Sequence, residues 1–482
     1  MRMCCRTSSM LINSKELQKM KISHFILTGL AAMALTGCKS LYGKYERPQV
    51  NTAGLVRDSV SNADTLAVND TTSFANIPWR SVFTDPQLQV LIEKALSNNP
   101  NLLNAALNVD MAEAQLKAAK LAFLPGFSFT PQGTIASWDY SKASKTYSLP
   151  VSASWDANLF GNLTAAKRST QMALLQAKDY QVAVQTKLVA NVANMYYTLL
   201  MLDKQLQIID DMETLTKDTW DIMKVQHESV AGVRSTAVQS AEANYLSVKT
   251  QKEDLKRQVR ETENSLSLLL GEAAQAIPRG TLDAQSLPSS FATGVGIQLL
   301  NNRADVHANE MALAECFYNV EAARARFYPS LTISGTGAFT NSGGLGITNP
   351  GKMLWSAVAS LTQPIFAKGQ LTAGLRVAKD QYQQAYNTWQ NSVLSAGSEV
   401  SNALVLYNAS EAKSKLEAQR IEVLKKNVED TKSLMASAGS TYLEVITAES
   451  NLLNSQLNKV SDDFNKMQAV VNLYYALGGG AK

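Results

Sequence analysis

Apolar residues along this chain recur with two different periods, and the change between them separates helical from extended stretches. From Asp85 to Phe123 the residues Leu88, Leu91, Ile92, Ala95 and Leu96 fall at helical spacing. Asp85 is placed to cap that helix, with Pro86 in its first turn, and the helix is predicted to end before Pro125. The period then falls to two. Tyr147, Leu149, Val151, Ala153, Trp155, Ala157 and Leu159 alternate with Ser148, Pro150, Ser152, Ser154, Asp156 and Asn158. Phe127, Phe129 and Ile135 begin a partner strand ahead of them, and the polar stretch Asp139–Thr146 joins the two. The pattern returns later. Leu331, Ile333 and Phe339 alternate with Thr332, Ser334 and Thr340, and Trp355, Ala357, Ala359 and Leu361 alternate with Ser356, Ser360 and Thr362. Strands with one apolar and one polar face suit a membrane barrel, lipid outside and water inside. A half-buried soluble sheet alternates in the same way. Pro131 and Pro150 sit awkwardly inside the predicted strands, where a ladder needs their missing N–H groups.

Each strand pair is followed by a very long helical stretch. Gly161 to about Ser229 contains no proline, and at ~1.5 Å per residue it would run roughly 100 Å. Gly369 to Ala438 matches it. Heptad stripes run through these segments and the ones that return: Ile421, Leu424, Val428, Thr431 and Met435, stopping backward at Glu417; then Leu453, Leu457, Val460, Phe464, Met467, Val471 and Tyr474. The earlier counterpart is Val238, Ala241, Tyr245, Val248, Leu255, Val259, Leu266 and Leu269, interrupted by Lys252 and Thr262. A sustained period of 3.5 predicts coiled-coil packing. The turns at Ala231-Gly232 and Ala438-Gly439 make each long segment and its return a helical hairpin tipped by glycine.

The chain is duplicated. Pro125 and Pro329 are 204 residues apart, as are Asn98 and Asn302; Val192-Ala193-Asn194 and Val400-Ser401-Asn402 are 208 apart. Ala231-Gly232, Ala241-Glu242 and Leu270-Gly271 recur 207 residues later as Ala438-Gly439, Ala448-Glu449 and Leu477-Gly478. The period is too long for a solenoid and marks one large unit used twice. The expected organisation is a signal peptide at 1–37, a polar N-terminal tether at 38–75, a first repeat at 76–271, a linker at 272–296, a second repeat at 297–478 and a tail at 479–482.

The N-terminus supports export. An apolar run from Phe25 to Leu35 follows Lys15, Lys19 and Lys21, then Thr36-Gly37-Cys38; translation starting at Met20 would leave the same leader. Small residues before a cysteine resemble the lipobox of bacterial lipoproteins, which implies a covalent lipid on Cys38. Loss of the leader removes Cys4 and Cys5, leaving Cys316 with no disulfide partner, a small packing residue in a helical stretch. The formal net charge of +4 and the absence of Lys/Arg runs give no reason to expect a nucleic-acid partner. No catalytic residue, metal site or cofactor is expected: His227 and His307 lack ligand spacing and read as solvated surface, and P-loop, dinucleotide and nucleophile-elbow motifs are missing.

No run of eighteen apolar residues exists, so a membrane crossing would have to be a closed barrel. Two repeats supply four strands, and the smallest membrane barrels have about eight. Oligomerisation is therefore required, as a dimer of eight strands or a trimer of twelve; eight-stranded interiors fill with side chains, which favours the trimer for an open lumen. A periplasmic adaptor or structural coiled-coil lipoprotein is the rival reading, but an adaptor would carry one hairpin flanked by compact β domains.

From Trp79 to Gly478 the sequence resembles the TolC family of outer-membrane efflux proteins, in its lipoprotein branch. The resemblance is carried by Trp79-Arg80-x-x-Phe83-x-Asp85-Pro86-x-Leu88, by Asn98-Asn99-Pro100-Asn101-Leu102, by Leu299-Leu300-Asn301-Asn302-Arg303-Ala304-Asp305-Val306 with alanine where the family has proline, and by Gly439 to Glu449. It implies a mainly α fold with membrane β: repeats of long coiled-coil helices plus a β-hairpin, trimerising into a twelve-stranded barrel with a periplasmic helical tunnel. It also implies a passive outer-membrane channel working with a periplasmic adaptor and an inner-membrane transporter. On the same basis Glu444 matches one of the family's gate acids, while Thr447 stands where a second would be. The tip residues Gly232, Val233, Arg234, Ser235, Gly439, Ser440, Thr441 and Tyr442 would contact the adaptor.

Overall fold

The computed structural model describes residues 43–50, 55–56, 74–137, 139, 141–229, 234–288, 303–340, 352–436 and 441–481. Cys38, Gly232, Val233, Gly439 and Ser440 lie outside the described residues. The helices are α1 (Trp79–Val82), α2 (Pro86–Asn98), α3 (Pro100–Leu121), α4 (Asn162–Ser229), α5 (Ser235–Leu269), α6 (Ala304–Ala325), α7 (Gln370–Ala436) and α8 (Tyr442–Ala476). The strands are β1 (Gly126–Phe129), β2 (Gln132–Ala136), β3 (Ser144–Ala157), β4 (Ser330–Thr340) and β5 (Lys352–Thr362). Among the described residues no helix is long and apolar enough to cross a membrane. The chain divides into two compact units: residues 1–47, 113–173 and 313–384, which hold the strands, and residues 48–112, 174–312 and 385–482, which are helical. Each unit draws on both repeats.

The duplication is visible element by element. α3 and α6 both have 22 residues, α5 and α8 both have 35, and α4 and α7 have 68 and 67. Gly161 and Gly369, just before the long helices, both take positive φ. α5 and α8 end alike. Gly271 donates to Leu268 O and Glu272 to Ser267 O; Gly478 donates to Tyr475 O and Gly479 to Tyr474 O, with both first glycines at positive φ. This is the Schellman ending, and glycine adopts its left-handed position without strain.

In the strand-bearing unit β3 and β4 are central, β5 borders β4, and β1 and β2 both lie along the other side of β3, all antiparallel. Pairing places Leu149 opposite Phe339 and Trp155 opposite Ile333 on one face, and Ser152 opposite Thr336 and Asp156 opposite Thr332 on the other. The polar face is tied by Ser152–Thr336 (3.1 Å) and Thr332–Asp156 (2.8 Å) hydroxyl bonds. On the apolar face Phe127, Phe129, Ile135, Val151, Trp355 and Leu361 are exposed.

The two prolines explain why one expected strand comes in two pieces. Thr130 N–H donates to Pro150 O (3.3 Å), but Pro150 has no N–H to return, so the ladder lapses there. Pairing resumes on the same register, Phe129 facing Val151 before the gap and Gln132 facing Ser148 after it. Pro131, next to Thr130, turns its donor-less side to the open edge.

The helical unit has one large core and smaller clusters beside it. Trp79, Phe83, Leu88, Ile92, Tyr196, Tyr197, Leu266, Val400, Val471 and Tyr474 are among its buried members. The helix expected over 85–123 is broken at Asn99, which is extended (φ −64°, ψ 121°) because a residue preceding proline is driven out of the helical region. Asn99 then caps α3, accepting from Asn101 N (2.9 Å) and Leu102 N (3.2 Å), and donates to Leu269 O (2.9 Å). The corresponding Arg303 holds Asp305 and Glu399 and reaches Ala476 O. In both repeats the entry motif thus ties a helix start to the end of the returning helix.

Described parts of the expected linker and tether pack against the helices. Arg279, within the expected linker, pairs with Asp203 (2.5 Å) and Glu263 (2.7 Å), and Lys204 pairs with Asp283 (2.7 Å). In the tether, the Tyr45 ring meets Phe317 edge-on (6.0 Å), while Leu55 and Val56 pack on the helical core. The reading of His307 as solvated surface is corrected as well. It is half-buried, and its Nδ1 lies 2.6 Å from Asp179 Oδ2, because α4 and α6 neighbour one another there.

Candidate functional site: the hairpin ends

The stripes seen in sequence pack where two hairpins approach their tips. Met223, Ala237, Ala241, Met435 and Val445 form one buried cluster, with Trp220 and Tyr442 at its margin. Ile421, Val428, Ala448 and Leu452 form another, and Ile209, Met212, Val248 and Leu453 a third. The polar breaks in the stripes have partners. Lys252 reaches Asp210 (2.9 Å) and Glu213 (2.7 Å) across from α5 to α4, and Ser455 donates to Glu417 between α8 and α7.

The four described tip residues begin the returning helices. Arg234 and Ser235 start α5, with Arg234 O accepting from Ala237 N (2.9 Å). Thr441 and Tyr442 start α8. Glu444 is exposed in the first turn of α8, and its Oε2 accepts from Thr441 N (3.1 Å), half of a capping box. A carboxylate here also favours the positive end of the helix dipole. Thr447 is exposed too, and its hydroxyl bonds Leu443 O (2.6 Å) in its own helix. Glu444 and Thr447 therefore lie one turn apart on the outer surface of α8, and both already have local bonds.

The residue that sequence reasoning passed over is Glu449, quoted in the tip motif but given no role. Its side chain is 0% exposed. Oε1 accepts from Thr219 Oγ1 of α4 (2.7 Å) and lies 3.1 Å from Lys432 Nζ of α7, while Oε2 has no partner among the described residues. Three helices from both hairpins thus meet on one buried carboxylate. The only sequence signal was the recurrence of Ala-Glu, and it misleads: Glu242, its counterpart, is exposed.

A second polar centre lies at the opposite end of the helical core. Asp85 accepts from Gln87 N (2.8 Å), Tyr196 Oη (2.6 Å) and Gln285 Nε2 (2.8 Å). Burial pushes its carboxyl up, but the bonds from Tyr196 and Gln285 and the backbone outweigh this and hold it below the ordinary range. The same burial and bond push the Tyr196 phenol well above its ordinary value. Cys316 is half-buried, its thiol pushed up by burial and then by Glu315, which suits a packing residue.

Among the described residues this geometry joins helices and leaves an apolar sheet face exposed. Residues 91–272 and 296–479 match the family described as Outer membrane efflux protein. The cation efflux system protein CusC of Escherichia coli K12 is 29% identical over 464 residues, covering 94% of this chain and 99% of that protein. The probable outer membrane lipoprotein SilC of Salmonella typhimurium is 27% identical over 453 residues, covering 92% and 96%. The open state of the Neisseria gonorrhoeae MtrE outer membrane channel, 24% identical, shares the fold with a TM-score of 0.79, covering 91% of this chain and 98% of that one. A duplicated chain of paired strands and long helical hairpins, matched along both repeats, belongs to the outer membrane efflux protein family.

Proposed function

We propose that three copies of this chain close a twelve-stranded barrel in the outer membrane, with their helices forming a periplasmic tunnel that conducts substrates passively outward. The observation that carries this is the sheet: an exposed apolar face and, among the described residues, two bare edges, β1/β2 and β5, in a protein of the outer membrane. Bare edges in lipid leave backbone groups unpaired at several kcal/mol each, so the sheet must close on other copies. Twelve strands leave a lumen where eight do not. A lipid on Cys38 anchors the chain. The hairpin tips around Arg234, Ser235, Thr441 and Tyr442 meet a periplasmic adaptor, and an inner-membrane transporter selects the cargo. Three Glu444 carboxylates, with Thr447 one turn on, line the periplasmic aperture.

The mass of the detergent-extracted protein, measured by light scattering and corrected for bound detergent, tests the assembly. Three copies are expected, and a stable monomer overturns the channel. For the aperture, Glu444→Gln channels in planar bilayers are expected to lose cation preference, and unchanged preference removes Glu444 from the gate. A Gly439→Val protein that reaches the membrane and exports normally would exclude the tip from docking.

A further inference from the structure

A cavity of about 450 Å³ opens between α3 and α4, beside the joint where Asn99 meets the end of α5. Asn101, Asn104 and Asn108, at i, i+3 and i+7, line it from one face of α3. Tyr180, Lys187 and Asn191, at i, i+7 and i+11, line it from one face of α4, with Val184 and Leu188 as apolar wall between them. All six polar residues are exposed. Among the described residues, none of these six side chains bonds or pairs with another group. Six open polar groups therefore surround one hollow.

The second repeat shows that the fold does not require them. The offset of 204 carries α3 onto α6, and the offset of 208 carries α4 onto α7. Asn99, Asn101 and Asn191 then correspond to Arg303, Asp305 and Glu399, and there Arg303 pairs with both acids. Asn104 and Asn108 correspond to Ala308 and Ala312, and Tyr180 to Thr388. The second repeat closes this place with ion pairs and small side chains, whereas the first leaves it open and lines it with amides. Asparagine is also a poorer helix former than alanine, and on α3 no internal bond offsets that.

The lining specifies a ligand. Each amide offers an NH₂ donor and a carbonyl acceptor, which together suit hydroxyls and N-acetyl groups. The exposed Tyr180 ring suits the C–H face of a sugar. Lys187 is the one charged residue of the lining and none is acidic, so an anionic group is favoured over a cationic one. The volume lies within the range of small-ligand sites. We infer that this cavity binds a glycan carrying N-acetyl and carboxylate groups, the chemistry of the wall strands that lie between the two membranes of such a cell. The wall as source rests on the periplasmic placement of the helices proposed above; the sugar chemistry rests on the cavity alone.

Binding to the full-length protein in detergent tests this. The probes are the wall disaccharide of N-acetylglucosamine and N-acetylmuramic acid, the neutral dimer of N-acetylglucosamine, and an N-acetylated acidic tripeptide, each followed by saturation-transfer NMR. The wall disaccharide should bind best. Asn104→Ala with Asn108→Ala, which installs the second repeat's residues, should weaken it about tenfold without loss of helix by circular dichroism. Lys187→Gln should weaken the wall disaccharide about threefold and leave the neutral dimer unchanged. No binding by the native protein, or equal binding by the Asn104→Ala, Asn108→Ala protein, overturns the site. A tripeptide that binds as tightly as the disaccharide overturns its sugar chemistry. Isolated wall sacculi should sediment the native protein and not the double variant; disaccharide binding without such sedimentation overturns the wall as source. A chain that binds sugar yet proves monomeric by light scattering overturns the channel and upholds the site.

Discussion

The buried carboxylate of Glu449 makes an asymmetric prediction about its two ends. Glu449 is inaccessible to water, whereas Lys432 is 24% exposed. Removing the lysine strands a buried charge; removing the charge leaves a lysine that can turn to solvent. Lys432→Met keeps only the Thr219 hydroxyl on the carboxylate. Breaking a buried pair from one side costs roughly 3–5 kcal/mol, and the surviving hydroxyl bond places this case at the low end, about 3 kcal/mol. Glu449→Gln retains an acceptor for Thr219 and costs roughly 1 kcal/mol. The double variant holds no stranded charge and should resemble Glu449→Gln, a coupling of about 3 kcal/mol. Unfolding of a large assembly is not one transition, so the readout is local: amide hydrogen exchange in the first turns of α8 and the facing turns of α4 and α7. Opening there should rise on the order of 100-fold in Lys432→Met and about fivefold in Glu449→Gln. Equal effects of the two single changes, or costs that simply add in the double variant, would refute the reasoning.

Three further outcomes follow from the packing. Gly397, inside α7, has the Leu55 backbone carbonyl inside contact distance of where a Cβ would sit. Gly397→Ala should release residues 55–56 to limited proteolysis, despite the ~1 kcal/mol that alanine ordinarily adds to a helix. Asn99→Asp keeps the cap on α3 but loses the donor to Leu269 O, so exchange should quicken at the end of α5 and not at the start of α3. The Asp85 carboxyl is more acidic in the fold than its ordinary 3.8, so its stabilisation is present above that pH and lost as pH falls through the lower folded value. Tyr196→Phe narrows the gap, and the loss of helical circular dichroism on acidification should move to higher pH.

What the sequence disclosed was whatever depends on neighbours along the chain. The alternation of Tyr147 to Leu159 and of Trp355 to Leu361 marked strands, because side chains two apart share a face. The heptads through Val248 and Val471 marked the packed side of the returning helices. Asp85 with Pro86 marked a helix start, which Asp85 caps by accepting from Gln87 N. What stayed hidden depends on groups brought together from far apart. The break at Asn99 was written in the Asn99-Pro100 step, yet the apolar spacing continued through it. His307 and Asp179 lie 128 residues apart, and Arg279 meets Asp203 across 76. No local pattern announces such partners. At the candidate gate, the position of Glu444 followed from the tip motif, whereas the burial of Glu449 depends on helices from both hairpins.

The duplication shows why equal motifs take unequal roles. Lys224 and Lys432 are 208 residues apart, and Lys432 reaches Glu449 in the returning helix of its own repeat. In the first repeat Lys224 Nζ sits 3.9 Å over the Trp220 ring, which also stacks on Tyr245 at 5.6 Å, and Glu242 stays in solvent. The residue equivalent to Trp220 in the second repeat is Val428, which offers no π face and is buried beside Ala448. Without a ring to hold it, Lys432 turns to the carboxylate, and Thr219 of the other hairpin completes the site. The two lysines therefore take different partners, an aromatic ring in the first repeat and a buried carboxylate in the second, and the buried ion pair lies in the hairpin that also carries Glu444.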